Sequence, residues 1–163
     1  MPLIEVRNLV KRYVAEGPNA VNDLSFDIHA GEIFSLLGPN GAGKTTTLSM
    51  ISTLLEPTTG TVLVDGHDVE RAPMDVRRII GVVPQELALY NDLTARENLR
   101  FWGEMRGLHG EALKSSIQEM LELTELEARA DDRVSTFSGG MKRRLNLATG
   151  LLGQPRLVMR EEP

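Results

Sequence analysis

The sequence contains no cysteine among its 163 residues, and this absence excludes several kinds of chemistry at once. A chain without cysteine forms no disulfide, uses no catalytic thiol and offers no thiolate to a zinc ion. Histidine is scarce as well, because only His29, His67 and His109 are present and they are scattered along the chain. We therefore predict no metal cluster built from histidine and cysteine.

Long apolar runs and an excess of positive charge are also missing. No apolar stretch approaches the roughly 20 residues of a membrane-spanning helix, and the start of the chain carries charges where a signal peptide needs an apolar segment. The net charge is −5, and the short basic run Lys142-Arg143-Arg144 is typical of a solvated helix face. Because non-specific nucleic-acid binding needs a phosphate-neutralising surface, we expect no nucleic-acid partner. The sequence predicts a cytoplasmic protein that reaches a membrane only through a partner.

The residues that are present have the composition of a soluble globular protein, with 41% hydrophobic and 25% charged residues. Alternating or compact apolar patterns predict strands at residues 3–13, 20–28, 60–64 and 79–83. A further apolar run, Glu32–Leu37, precedes a glycine-rich loop directly and supplies the strand context expected before such a loop. Asp65-Gly66 indicates a hairpin turn.

From Leu93 onward the pattern becomes helical. Thr94 and Glu97 form a capping-box signature, with Leu99, Trp102 and Met105 on one side of the helix that it begins. Two more helices are predicted after Gly110 and after Ser138-Gly139-Gly140, and Leu157–Met159 has the pattern of a buried strand. The order predicts an α/β core with an inserted helical subdomain.

The glycine-rich loop has a specific motif. Gly38–Thr45 matches G-x-x-x-x-G-K-[ST], in which the glycines let backbone N–H groups surround phosphate oxygens. The following helix adds its positive N-terminus, Lys44 can reach the β- and γ-phosphates, and the Thr45 hydroxyl can coordinate Mg²⁺. On this motif alone kinases, GTPases and many ATPases remain open.

A second helix start narrows the choice. Ser138, Gly139 and Gly140 are typical of a capped helix beginning, and they also make a second anion-binding N-terminus. Since a nucleotide needs only one phosphate loop, this second N-terminus is free to hold the γ-phosphate from the other side.

With these motifs in order, the sequence resembles the nucleotide-binding subunit of an ABC transporter, in the wording typical of exporters of drugs, antibiotics or polysaccharides. The resemblance implies an α/β fold with a P-loop NTPase core, N-terminal antiparallel strands and an inserted helical subdomain. It implies an ATP-binding core at residues 1–92 and 153–163 and a helical subdomain at residues 93–152. It also implies ATP and Mg²⁺ as ligands, a homodimer or a paired ATPase subunit, and an integral-membrane permease at the inner face of the cell membrane.

The resemblance also implies roles for individual residues. Tyr13 would stack on adenine, although a strand-end aromatic is the alternative, and Gln85 would touch Mg²⁺, although it could be a plain polar loop residue. Leu89, Tyr90 and Leu93 lie where this family docks its membrane subunit, or else form a surface turn. The implied nucleotide contacts are Tyr13, Gly38, Pro39, Asn40, Gly41, Ala42, Gly43, Lys44, Thr45, Thr46, Ser138, Gly139 and Gly140. The implied metal ligands are Thr45, Gln85 and Glu161, and the implied catalytic residues are Glu162 and Gln85.

The end of the chain departs from the family pattern. Arg160 stands where an apolar strand residue is expected, so it must meet a carboxylate or lie at an exposed end. Glu161 replaces the aspartate that binds Mg²⁺, and no histidine follows that could serve as the switch histidine. We expect a C-terminally truncated domain that lacks the closing strands of its core.

Three functional hypotheses remain at this point. The first is an energy-coupling ATPase subunit in which two head-to-tail copies sandwich MgATP. The second is a nucleotide-binding remnant without effective hydrolysis. The third, a soluble relative acting on ribosomes or DNA, is disfavoured by the acidic charge and by the lack of a tandem domain.

Overall fold

The computed structural model describes residues 1–160 and divides the chain into two compact units, Met1–Ile80 and Gly81–Pro163. Each unit has its own secondary structure and its own buried side chains. The subdomain boundaries at residues 92/93 and 152/153 stay a prediction.

The first unit is built on a four-stranded antiparallel sheet with the strand order β2-β1-β3-β4. Three of its strands confirm predicted ones, namely β1 (Ile4–Arg12), β2 (Asn19–Ile28) and β3 (Thr59–Val64). The fourth, β4 (His67–Asp68), follows the predicted hairpin turn and was not itself predicted. Ile4 of the central strand β1 pairs with Ile28 on one side and with Val64 on the other. Asp65 and Gly66 join β3 to β4 with φ values of 49° and 80°, the backbone that the Asp-Gly pair predicts for a hairpin.

Two helices complete the first unit, α1 (Lys44–Ile51) and α2 (Pro73–Ile79). Helix α2 is not among the elements predicted from the sequence. Its signals are present, because Pro73 occupies the first turn, Asp75 follows it and two arginines fill the last turn. Proline and acidic residues favour the N-terminal turn of a helix, and basic residues favour its C-terminal turn. Seven residues are nevertheless too few to show a clear apolar periodicity.

The apolar run before the glycine loop does not form the expected strand. Residues 32–39 lie outside every helix and strand, and the side chains of Ile33 and Leu37 are 100% and 90% exposed. A strand is stabilised by hydrogen bonds to a neighbouring strand, and within residues 1–160 no strand pairs with this run. The expectation from local pattern was therefore wrong for the described structure.

The second unit contains three helices, α3 (Ala95–Met105), α4 (Gly110–Leu123) and α5 (Gly139–Leu151). They confirm the predicted helices and share one apolar core, whose largest members are Leu99, Leu113, Ile117, Met120, Leu121, Leu126, Phe137, Leu145 and Leu152. The predicted capping box begins α3, because the Thr94 hydroxyl accepts from the Glu97 N–H at 3.1 Å and the Glu97 carboxylate accepts from the Thr94 N–H at 2.8 Å.

Two further strands confirm predicted ones, β5 (Ile80–Val83) and β6 (Leu157–Arg160). The structure pairs them with each other, which the sequence did not predict. Two details of burial differ from expectation. In β6 only Met159 is buried, while Val158 is 40% exposed, because β5 is the single strand beside it in the described part of the chain. Met105 is 69% exposed rather than packed with Leu99, because it lies in the last turn, where α3 ends.

Candidate functional site

The glycine loop contains two glycines that larger residues could not replace without strain. Gly41 and Gly43 have φ values of +84° and +83°, in the left-handed region that favours glycine. A Cβ on Gly43 would lie 2.3 Å from the Ala20 carbonyl oxygen of β2, whereas a Cβ on Gly41 would meet open space. The Ala42 N–H donates to the Pro39 carbonyl at 3.1 Å and closes the turn. Glycine is thus required at position 43 by packing and at position 41 by conformation alone.

This loop borders an open cavity of ≈ 450 Å³, lined by Ala20 and by residues 39–46. Helix α1 begins at the cavity with Gly43 as its N-cap, which offers no side-chain cap, and its first turn contains no acidic residue. The first N–H groups of a helix have no partner within the helix, and they carry the positive end of its dipole. The cavity therefore presents backbone donors and positive potential to an anion.

Lys44 adds a full positive charge at the same place. Its ammonium donates to the carbonyl oxygen of Gly38 and to that of Pro39, the latter at 3.3 Å, so it lies against the loop. The neighbouring Thr47 hydroxyl is buried and donates to the Gly43 carbonyl at 2.9 Å, which makes it part of the helix itself. Of the two, only Lys44 is placed to exchange its contacts for those of a phosphate.

Tyr13 lies beside the same loop. Its hydroxyl and that of Thr46 in the first turn of α1 are 3.2 Å apart, and the Lys11 ammonium lies 5.7 Å from the centre of its ring. The side chain is 64% exposed, so much of the ring is accessible to a binding partner. The structure therefore brings Tyr13 to the phosphate loop, while its contact with adenine remains a prediction.

Ser138 begins α5 in the second unit. Its hydroxyl accepts from the Met141 N–H at 3.2 Å, which confirms the predicted N-cap, and the first turn of α5 contains no acidic residue. Gly139 and Gly140 are exposed and neither has a positive φ. A Cβ on Gly139 would touch no other atom, and a Cβ on Gly140 would meet only the Ser138 hydroxyl, at 4.0 Å. The fold of the chain itself thus gives no reason for glycine at either position.

Gln85 is exposed in the loop that follows β5, here called the Gln85 loop (residues 84–91). Arg160 is exposed at the end of β6, which meets one of the two expectations for it. The predicted residues Glu161 and Glu162 lie outside the described residues. Within residues 1–160 no group of three histidine or acidic side chains could hold a metal ion. The set Thr45, Gln85 and Glu161 is of a different kind, because two of its members are neutral, and it stays a prediction.

Sequence reasoning missed three side chains that hold the Gln85 loop. Asn98, Trp102 and Asn146 each make hydrogen bonds to its backbone. The two asparagines are buried, at 0% and 4% exposed. The two asparagines could have been noticed in the sequence, because each lies on the apolar face of a predicted helix. A buried amide must form hydrogen bonds with its polar groups, so such a residue indicates a tertiary contact.

A glycine loop folded over a helix N-terminus, with a lysine against it and a cavity beside it, defines a phosphate-binding domain of the P-loop class. The family model described as "ABC transporter" matches residues 21–163. The chain belongs to the ABC transporter family and corresponds to its ATP-binding domain.

The chain is similar to several curated ATP-binding proteins over almost all of its own length. It is 47% identical to the linearmycin resistance ATP-binding protein LnrL of Bacillus subtilis, covering 99% of this chain and 51% of that protein. It is 44% identical to the Nod factor export ATP-binding protein I of Burkholderia lata, covering 98% and 52%. For the doxorubicin resistance ATP-binding protein DrrA of Mycobacterium tuberculosis the identity is 42%, covering 88% and 44%. The chain spans about half the length of these relatives.

Solved structures agree with this assignment. The structure of an ATP binding subunit of an ABC transporter matches 99% of this chain with a TM-score of 0.84 and 33% identity, covering 66% of that structure's chain. The structure of cbiO1 from Clostridium perfringens, described as part of the ABC transporter complex cbiONQ, matches with a TM-score of 0.87 and 25% identity. Among residues 1–160, no helix combines the length and the apolar character needed to cross a membrane.

Proposed function

We propose that the chain is the energy-coupling ATPase domain of an exporter and that it binds MgATP on the loop Gly38–Thr46. The observation that carries this proposal is the loop itself, where two left-handed glycines, the uncapped start of α1 and Lys44 border one cavity. Backbone donors, a helix dipole and a lysine at one place favour a polyphosphate over a single carboxylate.

In this proposal each residue has a defined task. Lys44 exchanges the carbonyl oxygens of Gly38 and Pro39 for oxygens of the β- and γ-phosphates, and the exposed ring of Tyr13 stacks on the base. Thr45 and Gln85 are the described residues that would hold Mg²⁺, and both offer the oxygen ligands that this ion prefers. When bound, Mg²⁺ neutralises charge on the phosphates.

The proposed assembly is a head-to-tail pair of copies, in which the start of α5 from one copy covers the nucleotide on the other. Gly139 and Gly140 support it, because no contact among residues 1–160 requires glycine at either position. A close approach by a molecule from outside the chain would require it, since a Cβ would keep a phosphate away from the backbone N–H groups.

The proposed partner is an integral-membrane permease, which would hold this domain at the inner face of the cell membrane. The names of the relatives support export, because they refer to linearmycin resistance, Nod factor export and doxorubicin resistance. In the second unit Leu87 and Tyr90 of the Gln85 loop are 43% and 47% exposed, which leaves apolar surface available to such a partner.

A test of the assembly introduces a bulky positive charge with Ser138→Arg. We expect this variant to bind ATP like the wild type and to lose ATP-dependent dimerisation in sedimentation or light scattering, because a long cation fills the space at the start of α5. Ser115→Arg, an exposed change on α4, is the matched control and should dimerise normally. Dimerisation that survives Ser138→Arg would rule out the proposed contact.

Hydrolysis requires its own test, because Arg160 and Glu161 differ from the family pattern. We propose Glu162 as the general base that takes a proton from the attacking water. Phosphate release from ATP that disappears in Glu162→Gln supports hydrolysis by this residue. Binding of ATP without any release in the wild type supports the second candidate function, a nucleotide-binding domain without turnover.

A further inference from the structure

The Gln85 loop is held by one buried amide that spans it. The Asn146 side chain of α5 accepts from the Ala88 N–H at 3.0 Å and donates to the Pro84 carbonyl at 3.2 Å. Both polar atoms of this amide are therefore bonded to the loop, on either side of Gln85. Asn146 itself is 4% exposed, so water does not compete strongly for these bonds.

Helix α3 holds the same loop from a second direction. The Trp102 indole donates to the Ala88 carbonyl at 2.9 Å, so both backbone groups of Ala88 are bonded to side chains. The fully buried Asn98 accepts from the Tyr90 N–H at 2.8 Å and donates to the Tyr90 carbonyl at 3.0 Å. Three side chains thus fix a loop that has neither helix nor strand structure of its own.

Helix α5 is also fixed against the strand that leads into the loop. Gly150 lies one turn after Asn146, and a Cβ there would come 2.4 Å from a methyl group of Val83. A Cβ on Gly81 would come 2.0 Å from the Gly150 carbonyl oxygen. Because the backbones of α5 and β5 touch this closely, they cannot slide past each other without a clash.

We propose that Asn146 is a positioning residue that sets the place of Gln85 and makes the Gln85 loop move together with α5. A shift of the Ser138 end of α5 is then transmitted through Asn146 and Gly150 to the loop. This inference rests on the proposed function, in which Gln85 contacts Mg²⁺ and Ser138 contacts the nucleotide of the partner copy. An apolar side chain would fill the space of Asn146 without the desolvation penalty, but it would bond to neither Pro84 nor Ala88.

The first experiment measures ATP affinity with Mg²⁺ and with EDTA for the wild type and for Asn146→Ala. Loss of a residue that orients a metal ligand weakens metal affinity by about 10–100-fold, so the gain in affinity from Mg²⁺ should fall by about tenfold. The affinity in EDTA should stay within about twofold, since the Asn146 side chain bonds to Pro84 and Ala88 and its proposed role is exerted through Gln85 on the metal.

Thr149→Val is the matched control. Thr149 is equally buried on the same helix, at 7% exposed, but its hydroxyl donates at 2.8 Å to the Asn146 backbone carbonyl and not to the loop. We expect this variant to keep the full Mg²⁺-dependent gain. An unchanged gain in Asn146→Ala, or an equal loss in both variants, would overturn the positioning role. A wild type whose ATP affinity does not respond to Mg²⁺ would instead contradict the proposed function.

Amide hydrogen exchange tests the contact without nucleotide. We expect the Ala88 amide to exchange as slowly as helix amides in the wild type. Asn146→Asp keeps the acceptor and should retain this protection, while it should lose part of the Mg²⁺-dependent gain with the bond to Pro84. Fast exchange of Ala88 in the wild type would overturn the proposal even if Asn146→Ala fails to fold. The emission of Trp102, the single tryptophan, reports independently on the same loop.

Discussion

At the scale of single residues, similar glycines serve different purposes in this chain. Gly43 is required by its own fold, because a side chain there would collide with the Ala20 carbonyl. Gly41 shares the left-handed backbone but has open space around it. Gly139 needs neither a special φ nor close packing within residues 1–160, and we propose that contact with a partner copy explains it. These differences can be measured separately.

The two loop glycines should differ in their effect on stability. Gly41→Ala places an L-residue in the left-handed region and should cost about 1–2 kcal/mol of unfolding free energy. Gly43→Ala adds steric overlap with β2 and should cost at least about 1 kcal/mol more. Urea denaturation of both variants checks this order, and equal losses would mean that the contact with Ala20 relaxes freely.

Gly139→Ala should weaken dimerisation without lowering the stability of the fold. Alanine is a better helix former than glycine by about 1 kcal/mol, so this variant should be at least as stable as the wild type. We expect it nevertheless to weaken ATP-dependent dimerisation, because its methyl group lies where the nucleotide of the partner copy approaches. Thermal melting and sedimentation check both parts, and normal dimerisation would place the reason for Gly139 elsewhere.

At the scale of elements, local signals predicted most helices and strands because each depends on neighbouring residues. The capping box of Thr94 and Glu97 and the Asp65-Gly66 turn were found for this reason. The run Glu32–Leu37 was expected as a strand and is not one, because a strand also depends on a partner that local sequence does not describe. Asn98 and Asn146 were missed because only tertiary contacts show that their side chains bond to the Gln85 loop.

The capping box makes the stability of α3 depend on pH. The pKa of Glu97 lies below its ordinary value of 4.5, first because its carboxylate accepts the Thr94 backbone N–H and then because of the bond to the Thr94 side chain. A lowered folded pKa means that this contribution is complete above about pH 4.5 and is lost as the pH falls through the lower folded value.

Glu97→Gln isolates this effect, since glutamine can still accept the bond but carries no charge. We expect the wild type to melt at a higher temperature than Glu97→Gln at pH 7, and the difference to vanish in strong acid. Glu104→Gln, an exposed change on the same helix, is the control and should show a smaller difference at neutral pH. A difference for Glu97→Gln that persists unchanged at low pH would contradict the assignment.

At the scale of the whole molecule, the order of motifs identified the family before the structure did, and the match over residues 21–163 confirms it. The structure adds the surroundings of the phosphate loop, in which Tyr13 lies beside α1 and the Lys44 ammonium lies against the loop carbonyls. Sequence could not predict these contacts, because Tyr13 and Thr46 come from separate elements. The pairing of two copies and the membrane partner depend on other molecules, so they are proposals that neither the sequence nor this fold decides.

The central claim is that the loop Gly38–Thr46 binds the phosphates of ATP, and equilibrium binding to Lys44→Ala tests it most directly. Hydrogen bonds to charged groups contribute about 1.5–3 kcal/mol, so this variant should bind MgATP at least about tenfold more weakly than the wild type. Lys114→Ala removes an exposed lysine that pairs with Glu111 on α4, and it should bind like the wild type. If Lys44→Ala binds MgATP as tightly as the wild type and Lys114→Ala, the account of this loop is wrong.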